Sequence, residues 1–197
     1  MIVNELDPRV IRSKQLIKDA FTQLIMERDF DSITVKDITE RATINRATFY
    51  AHYEDKYILL ETLFVELFDQ ILAGQNIDTS AFQPETLEKL IIAACEFLIQ
   101  VKKGCKKISS SVMSLMEEKI ISRLAAFISM ILLNRADGNS LSEEIELTIT
   151  MISWSVYGAA LQWHKKQTIT PEELARQGAS LLRHGSDKIC FVNSITS

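Results

Sequence analysis

The sequence is poor in the features that mark several protein classes. No apolar run in its 197 residues approaches the roughly 18 needed to span a bilayer. The start, Met1-Ile2-Val3-Asn4-Glu5-Leu6-Asp7, has neither a basic segment nor an apolar core, so no secretory leader is expected and the cytoplasm is the expected location. Cysteine is limited to Cys95, Cys105 and Cys190, an odd count without metal spacing, which argues against a disulfide framework or a zinc site. Cys105 lies between Lys103 and Lys106-Lys107, cations that would favour a thiolate and a redox role; the ordinary alternative is a small hydrophobe in a helix. The histidines His52, His164 and His184 offer no ligand pair or triad, so no catalytic residue, metal or cofactor is expected. Positive charge is not in excess either. With a formal net charge of −4, any nucleic-acid role must rest on placed cations such as the group Arg9, Arg12, Lys14 and Lys18.

What is present is helical. With 47% hydrophobic and 24% charged residues the chain is globular rather than disordered. The prolines of Asp7-Pro8, Gln83-Pro84 and Thr170-Pro171 each fit a first helical position. Thr170 with Glu173, and Ser140 with Glu143, fit the reciprocal capping pattern. Apolar residues recur at three and four through Ile17, Ala20, Phe21, Leu24 and Ile25, through Val35, Ile38 and Ala42, and through Leu60, Leu63, Phe64, Leu67, Phe68 and Ile71. The same period continues from Leu87 to Val101 and from Ile120 to Ile131. No segment alternates as a strand would and no internal repeat is evident, so the expected fold class is all-α. Breaks are expected near 29–32, 74–80, 104, 134–140 and 166–170, with a frayed tail after Gly185.

The stretch from Ile33 to Lys56 carries the function. Thr34 is placed to cap a helix with Val35, Ile38 and Ala42 on one face, Thr43-Ile44-Asn45 to turn, and Asn45 to cap a second short helix. Two short helices so joined make a helix-turn-helix, whose second helix offers its first side chains to the DNA major groove. Phe30, Ile33-Thr34-Val35, Asp37-Ile38, Ala42, Ile44, Thr48-Phe49-Tyr50, His52-Tyr53 and Lys56 follow in order without a gap, and this stretch resembles the DNA-binding signature of the TetR (tetracycline-repressor) family.

The resemblance covers roughly Arg9 to Leu60 and implies residue roles. Arg46, Ala47 and Tyr50, with Lys36 on the first helix, fall at base-reading positions. Thr34, Thr48, His52 and Lys56 fall at phosphate-contacting positions, and Ile38, Ala42, Ile44 and Phe49 at core positions. Arginine suits bidentate contact with guanine independently of any resemblance. Taken singly, Arg46 and Lys36 read as solvated surface charges; the ordered set is what carries the assignment. The family usually has Gly where this chain has Thr43, often Ser at Asn45, and Gly or similar at Ala47. A left-handed Thr43 would be strained by about 1 kcal/mol or more.

Beyond Lys56 the sequence offers layout only. Residues 1–56 are expected to form a helix-turn-helix DNA-binding domain and 57–197 a helical regulatory and dimerisation domain. Ile145, Ile149, Ile152, Val156, Ala159 and Trp163 step by four and three, as on a helix packed along a near-parallel neighbour, and Leu147, Met151, Trp154 and Leu161 form a second apolar face. The dimer interface is assigned to Ile149, Ile152, Val156, Ala159, Trp163 and Gly178, since the resemblance implies a four-helix bundle between two subunits. Phe97, Met113, Met116, Phe127, Met130, Met151, Trp154 and Tyr157 are candidates for an adaptable apolar pocket, although they are also what a helical core contains. The expected partners are double-stranded operator DNA, a second copy of the chain and an unidentified small-molecule effector, without a membrane. The resemblance implies a repressor released from a palindromic operator by that effector; the alternative is a TetR-like activator or adaptor whose C-terminal domain binds a protein.

Overall fold

Capping residues and prolines set where the helices begin. In the computed structural model, which describes residues 7–133 and 143–189 (side chains at 133 and 183–189 excepted), α1 spans Pro8–Glu27, and the Asp7 carboxylate accepts from the Arg9 N–H at 2.8 Å. A 3-10 turn, Phe30–Ser32, leads into α2 (Val35–Arg41), then α3 (Arg46–Tyr50) and α4 (Lys56–Gly74). The remaining helices are α5 (Pro84–Gly104), α6 (Ser110–Leu133), α7 (Glu143–Lys166) and α8 (Pro171–Ile189). Each proline occupies the first helical position, where its missing N–H costs nothing. Thr170 Oγ1 accepts from the Glu173 N–H at 3.2 Å, one half of the expected reciprocal cap. The expected Ser140–Glu143 cap, the break at 134–140 and Cys190 lie outside the described residues. The fold is all-α, as the apolar period requires.

Two compact units divide the chain. The first comprises residues 1–66 and 100–117, and the second 67–99 and 118–197. In the first, Ile17, Ala20, Phe21, Leu24 and Ile25 are buried along one face of α1, with Phe30, Ile33, Ile38, Phe49, Leu59 and Leu60. The segment between α5 and α6 belongs here too. The Lys106 N–H donates to the Ile25 carbonyl at 2.8 Å and the Phe30 N–H to the Lys107 carbonyl at 3.0 Å, so this segment is stitched to the junction of α1 and α2. Cys105 sits within it, and burial pushes its thiol up to about 11. That favours the small-hydrophobe alternative over a thiolate, since withdrawal from water outweighs the neighbouring lysines.

In the second unit α7 buries Ile149, Ser153, Val156, Tyr157, Ala160 and Trp163. Ser153 is wholly buried because its hydroxyl donates to the Ile149 carbonyl at 2.7 Å. The Trp163 indole N–H donates to the Ile169 carbonyl at 2.7 Å across the turn into α8. The faces of α7 are therefore the reverse of the expected ones. Ile149, Val156 and Trp163, assigned to a dimer interface, are core residues of their own unit, and Ile152 and Ala159 are half-buried beside them. Gly178 also faces inward: a Cβ there would lie 2.9 Å from Ile91 Cδ1 on α5. Heptad spacing identifies a face packed along a neighbouring helix but not the chain that supplies the helix. The side left exposed carries Leu147 (60%), Met151 (62%) and Trp154 (59%), with Gly158 in open space.

Candidate nucleic-acid interface

Helix α2 is tied down at both ends. Thr34 Oγ1 accepts from the Asp37 N–H at 3.2 Å, while the Asp37 carboxylate accepts from the Thr34 N–H at 2.8 Å and from the Thr34 hydroxyl at 2.5 Å. These bonds, helped by Arg28, hold Asp37 below the usual carboxylate range. At the other end Arg41 meets Glu27 of α1 through two 2.8 Å bonds, a bidentate pair that links the two helices.

The turn between α2 and α3 closes as a Schellman motif. The Thr43 N–H donates to the Glu40 carbonyl at 3.2 Å and the Ile44 N–H to the Thr39 carbonyl at 3.0 Å. The motif needs a left-handed residue, and Thr43 takes that conformation with φ 55°. Its Cβ crowds the backbone where glycine would not. Thr43→Gly is expected to stabilise the protein by about 1 kcal/mol, read as a higher urea midpoint at unchanged slope. Asn45 caps α3 differently from expectation: its carbonyl accepts from the Thr48 and Phe49 N–H groups, and its side chain makes no capping bond.

Helix α3 is anchored by one residue and presents others. Phe49 is fully buried, edge-on to Tyr50 at 5.5 Å between ring centroids. Arg46, Ala47 and Tyr50 are exposed and Thr48 is half-buried. Lys36 is exposed on α2, 3.7 Å from Glu40 across one turn, an exposed pairing weak enough to exchange for another anion. Arg46, Ala47, Tyr50, Lys36 and Thr34 thus share one compact unit and are accessible in it, a layout suited to entering a groove.

Lys56 is committed elsewhere. Its ammonium donates to the carbonyls of Phe30, Asp31 and Ile33 at 3.0, 3.2 and 2.7 Å, and sits 4.5 Å over the Phe30 ring. Three donors meet three acceptors, so a phosphate would have to displace a carbonyl. Burial holds Lys56 below the ordinary lysine range, while Asp31, Asp37 and Asp55 oppose that fall. The side chain ties the start of α4 to the junction before α2, a positioning role that competes with the expected phosphate contact. Lys56→Met should lower stability by roughly 1–3 kcal/mol, seen in denaturant unfolding. The salt dependence of DNA binding should not change, whereas loss of a phosphate contact would lower its slope by about 1 per half-site.

His52, at an expected phosphate position, is half-buried with Nε2 2.7 Å from Ser13 Oγ on α1. Sequence reasoning did not foresee that contact, the Arg41–Glu27 brace or the Lys56 cage. Each joins segments distant in the chain through polar groups that carry no period.

Residues 17–63 match the family model described as bacterial regulatory proteins, tetR family. That segment, α1 to the first turns of α4, is a match to the DNA-binding part of the family. Over 77 residues it is 36% identical to the uncharacterized HTH-type transcriptional regulator YxbF of Bacillus subtilis, a match covering 39% of this chain and 20% of that protein. Over 77 residues it is also 31% identical to the HTH-type dhaKLM operon transcriptional activator DhaS of Lactococcus lactis, covering 39% of this chain and 41% of that one. The chain therefore spans well under two thirds of these relatives. In fold, it resembles a TetR-family regulator from Streptomyces coelicolor, with a TM-score of 0.63 at 17% identity over 91% of this chain and 97% of that one. A solved structure of the dihydroxyacetone kinase operon activator DhaS gives 0.56 at 18% identity over 89% and 96%. No helix among the described residues is long and apolar enough to cross a membrane.

Proposed function

We propose that this chain is a TetR-type, homodimeric transcription regulator that binds a palindromic operator in the cytoplasm. One observation carries the reading: a doubly capped α2 and a left-handed Schellman turn hold α3 with Phe49 buried and Arg46, Ala47 and Tyr50 exposed. Arg46, Ala47, Tyr50 and Lys36 read base edges, and Thr34, Thr48 and His52 meet phosphates. Residues 1–56 do the reading, and 57–197 pair the subunits and respond to a signal.

The dimer face is the strip Leu147, Met151, Trp154 and Gly158 on α7 with Leu181 and Leu182 on α8, apolar side chains exposed on a single subunit. This takes Met151 and Trp154 out of the pocket assignment. Met113 and Met116 fall in the first unit, while Phe97, Phe127 and Tyr157 in the second keep their candidacy for an apolar effector. Phe97 packs edge-on to Phe68 at 5.6 Å, so an effector there would have to push these core rings apart.

A bound dimer that overlaps a promoter represses it, and an effector releases it by favouring a spacing of the two heads that no longer fits. The name of DhaS, an activator, favours a second reading in which occupancy recruits transcription and the C-terminal half meets a protein. Footprinting on DNA beside the chain's own gene, with a promoter reporter, tests both. An inverted repeat is expected, because a two-fold dimer offers identical heads to two half-sites. Reporter output falling on expression means repression and rising output means activation; a direct repeat, or no preferred site, defeats the proposal.

A further inference from the structure

A single hydrogen bond ties α1 to the segment just past α3. Ser13 Oγ lies 2.7 Å from His52 Nε2, joining the second turn of α1 to the residue two places past α3. The same oxygen lies 2.9 Å from the Arg9 carbonyl and 3.0 Å from the Val10 carbonyl. With its one hydroxyl proton on either helix carbonyl, the oxygen accepts from the imidazole. In that arrangement neutral His52 carries its proton on Nε2, and Nδ1 is the nitrogen that takes a second.

The surroundings are cationic. Arg9 precedes Ser13 by one turn on the same face, Arg12 follows Arg9 by three residues, and both are exposed. Lys14, also on α1, acts on His52 through its charge; with burial as the larger cause, it holds the imidazole below its ordinary range. On the other side His52 meets the Tyr53 ring, whose hydroxyl is pushed up to about 12 by burial and Glu66, and Glu66 itself pairs with Lys18. What this corner calls for is an anion, and the reading helix beside it is the region of the protein that approaches one.

We propose that Arg9, Arg12 and His52 form one phosphate-binding corner beside α3, and that His52 takes up a proton from solvent as a DNA phosphate arrives. The inference rests on the operator-binding reading above. The arriving anion offsets Lys14, so the imidazolium is favoured in the complex; Nδ1–H then donates to the phosphate while Nε2–H stays on Ser13. By linkage, affinity rises as pH falls through the value His52 has in the complex, and levels off below its lower value in the free protein.

Titrations of an operator duplex between about pH 6 and about pH 8, at several salt concentrations, test this on the full-length protein. Operator affinity should strengthen on acidification by up to roughly tenfold per pH unit for each head. His52→Asn, whose amide keeps a neutral donor near Nδ1, should bind with no such dependence. Arg9→Ala and Arg12→Ala should each lower the slope of log affinity against log salt by about 1 per half-site, with base preference kept. Histidine ring resonances of the native protein, with His52 identified as the signal missing from His52→Asn, should show it neutral when free and charged on the operator. A ring that stays neutral on DNA, or a His52→Asn protein that keeps the pH dependence, overturns the corner while leaving the operator reading intact. A native protein that selects no duplex at any pH overturns the reading, and the corner with it.

Discussion

Replacing Trp154 by Asp should leave a monomer at about 10 µM, where the native chain is expected to be a dimer by light scattering or sedimentation. Leu147, Met151, Trp154 and Gly158 follow one another at four, three and four residues along α7, so they form a single strip on one side of the helix. Covering the exposed three-fifths of a tryptophan contributes roughly 3 kcal/mol, and a two-fold interface contains that contact twice. An aspartate would remove both contacts and set two like charges near the symmetry axis, neither able to stay in water. A micromolar dimer is held by about 8 kcal/mol, so a loss of this size moves dissociation far above the working concentration. Because Trp154 lies outside the core of its unit, the variant should unfold like the native protein. The operator should suffer instead, since a monomer presents one head to a two-headed site. Unchanged mass in Trp154→Asp would place the subunit contact elsewhere.

That strip marks where sequence stopped being informative. The face of α1 was legible because five apolar residues at helical spacing face one core, and the burial of Ile17, Ala20, Phe21, Leu24 and Ile25 follows their period. The helix-turn-helix was legible because its caps and turn are local: Thr34 and Asp37 are three residues apart, and Thr43 takes the strained conformation that its place in the turn demands. Helix α7 is apolar on two sides, and periodicity ranks both alike. Its buried stripe runs through Ser153 and Ala160 rather than Ile152 and Ala159. A serine is admitted there because its hydroxyl is satisfied within the helix, which a hydrophobicity pattern cannot register. The partners of Lys56 escaped notice for a related reason. Its charge and position suit a phosphate, but the side chain finds three carbonyls from a segment more than twenty residues earlier. Long-range polar contacts depend on how the units fold up, and no local pattern encodes them.

Arg46→Ala should separate reading from holding. Arg46 opens α3 and is exposed, on a helix whose orientation is fixed by buried Phe49 and the Thr43 turn. From there a guanidinium can place two hydrogen bonds on the O6 and N7 edge of a guanine, a geometry that other base pairs do not offer. Losing it should weaken operator binding by roughly 1–3 kcal/mol per half-site, twice that for a dimer on both halves, and relax preference at one base pair in each. Random duplex should lose much less, because nonspecific affinity comes from neutralised phosphates rather than base edges. The folded state should be untouched, since truncating an exposed side chain removes neither a cap nor a core contact. A strained turn makes the assignment sensitive to register: if Thr43 rotates α3 so that Arg46 meets the backbone, Arg46→Ala will weaken operator and scrambled duplex equally and lower the salt slope. Titrations of both duplexes across salt decide between these outcomes, and the equal loss would end the base-reading role given to Arg46.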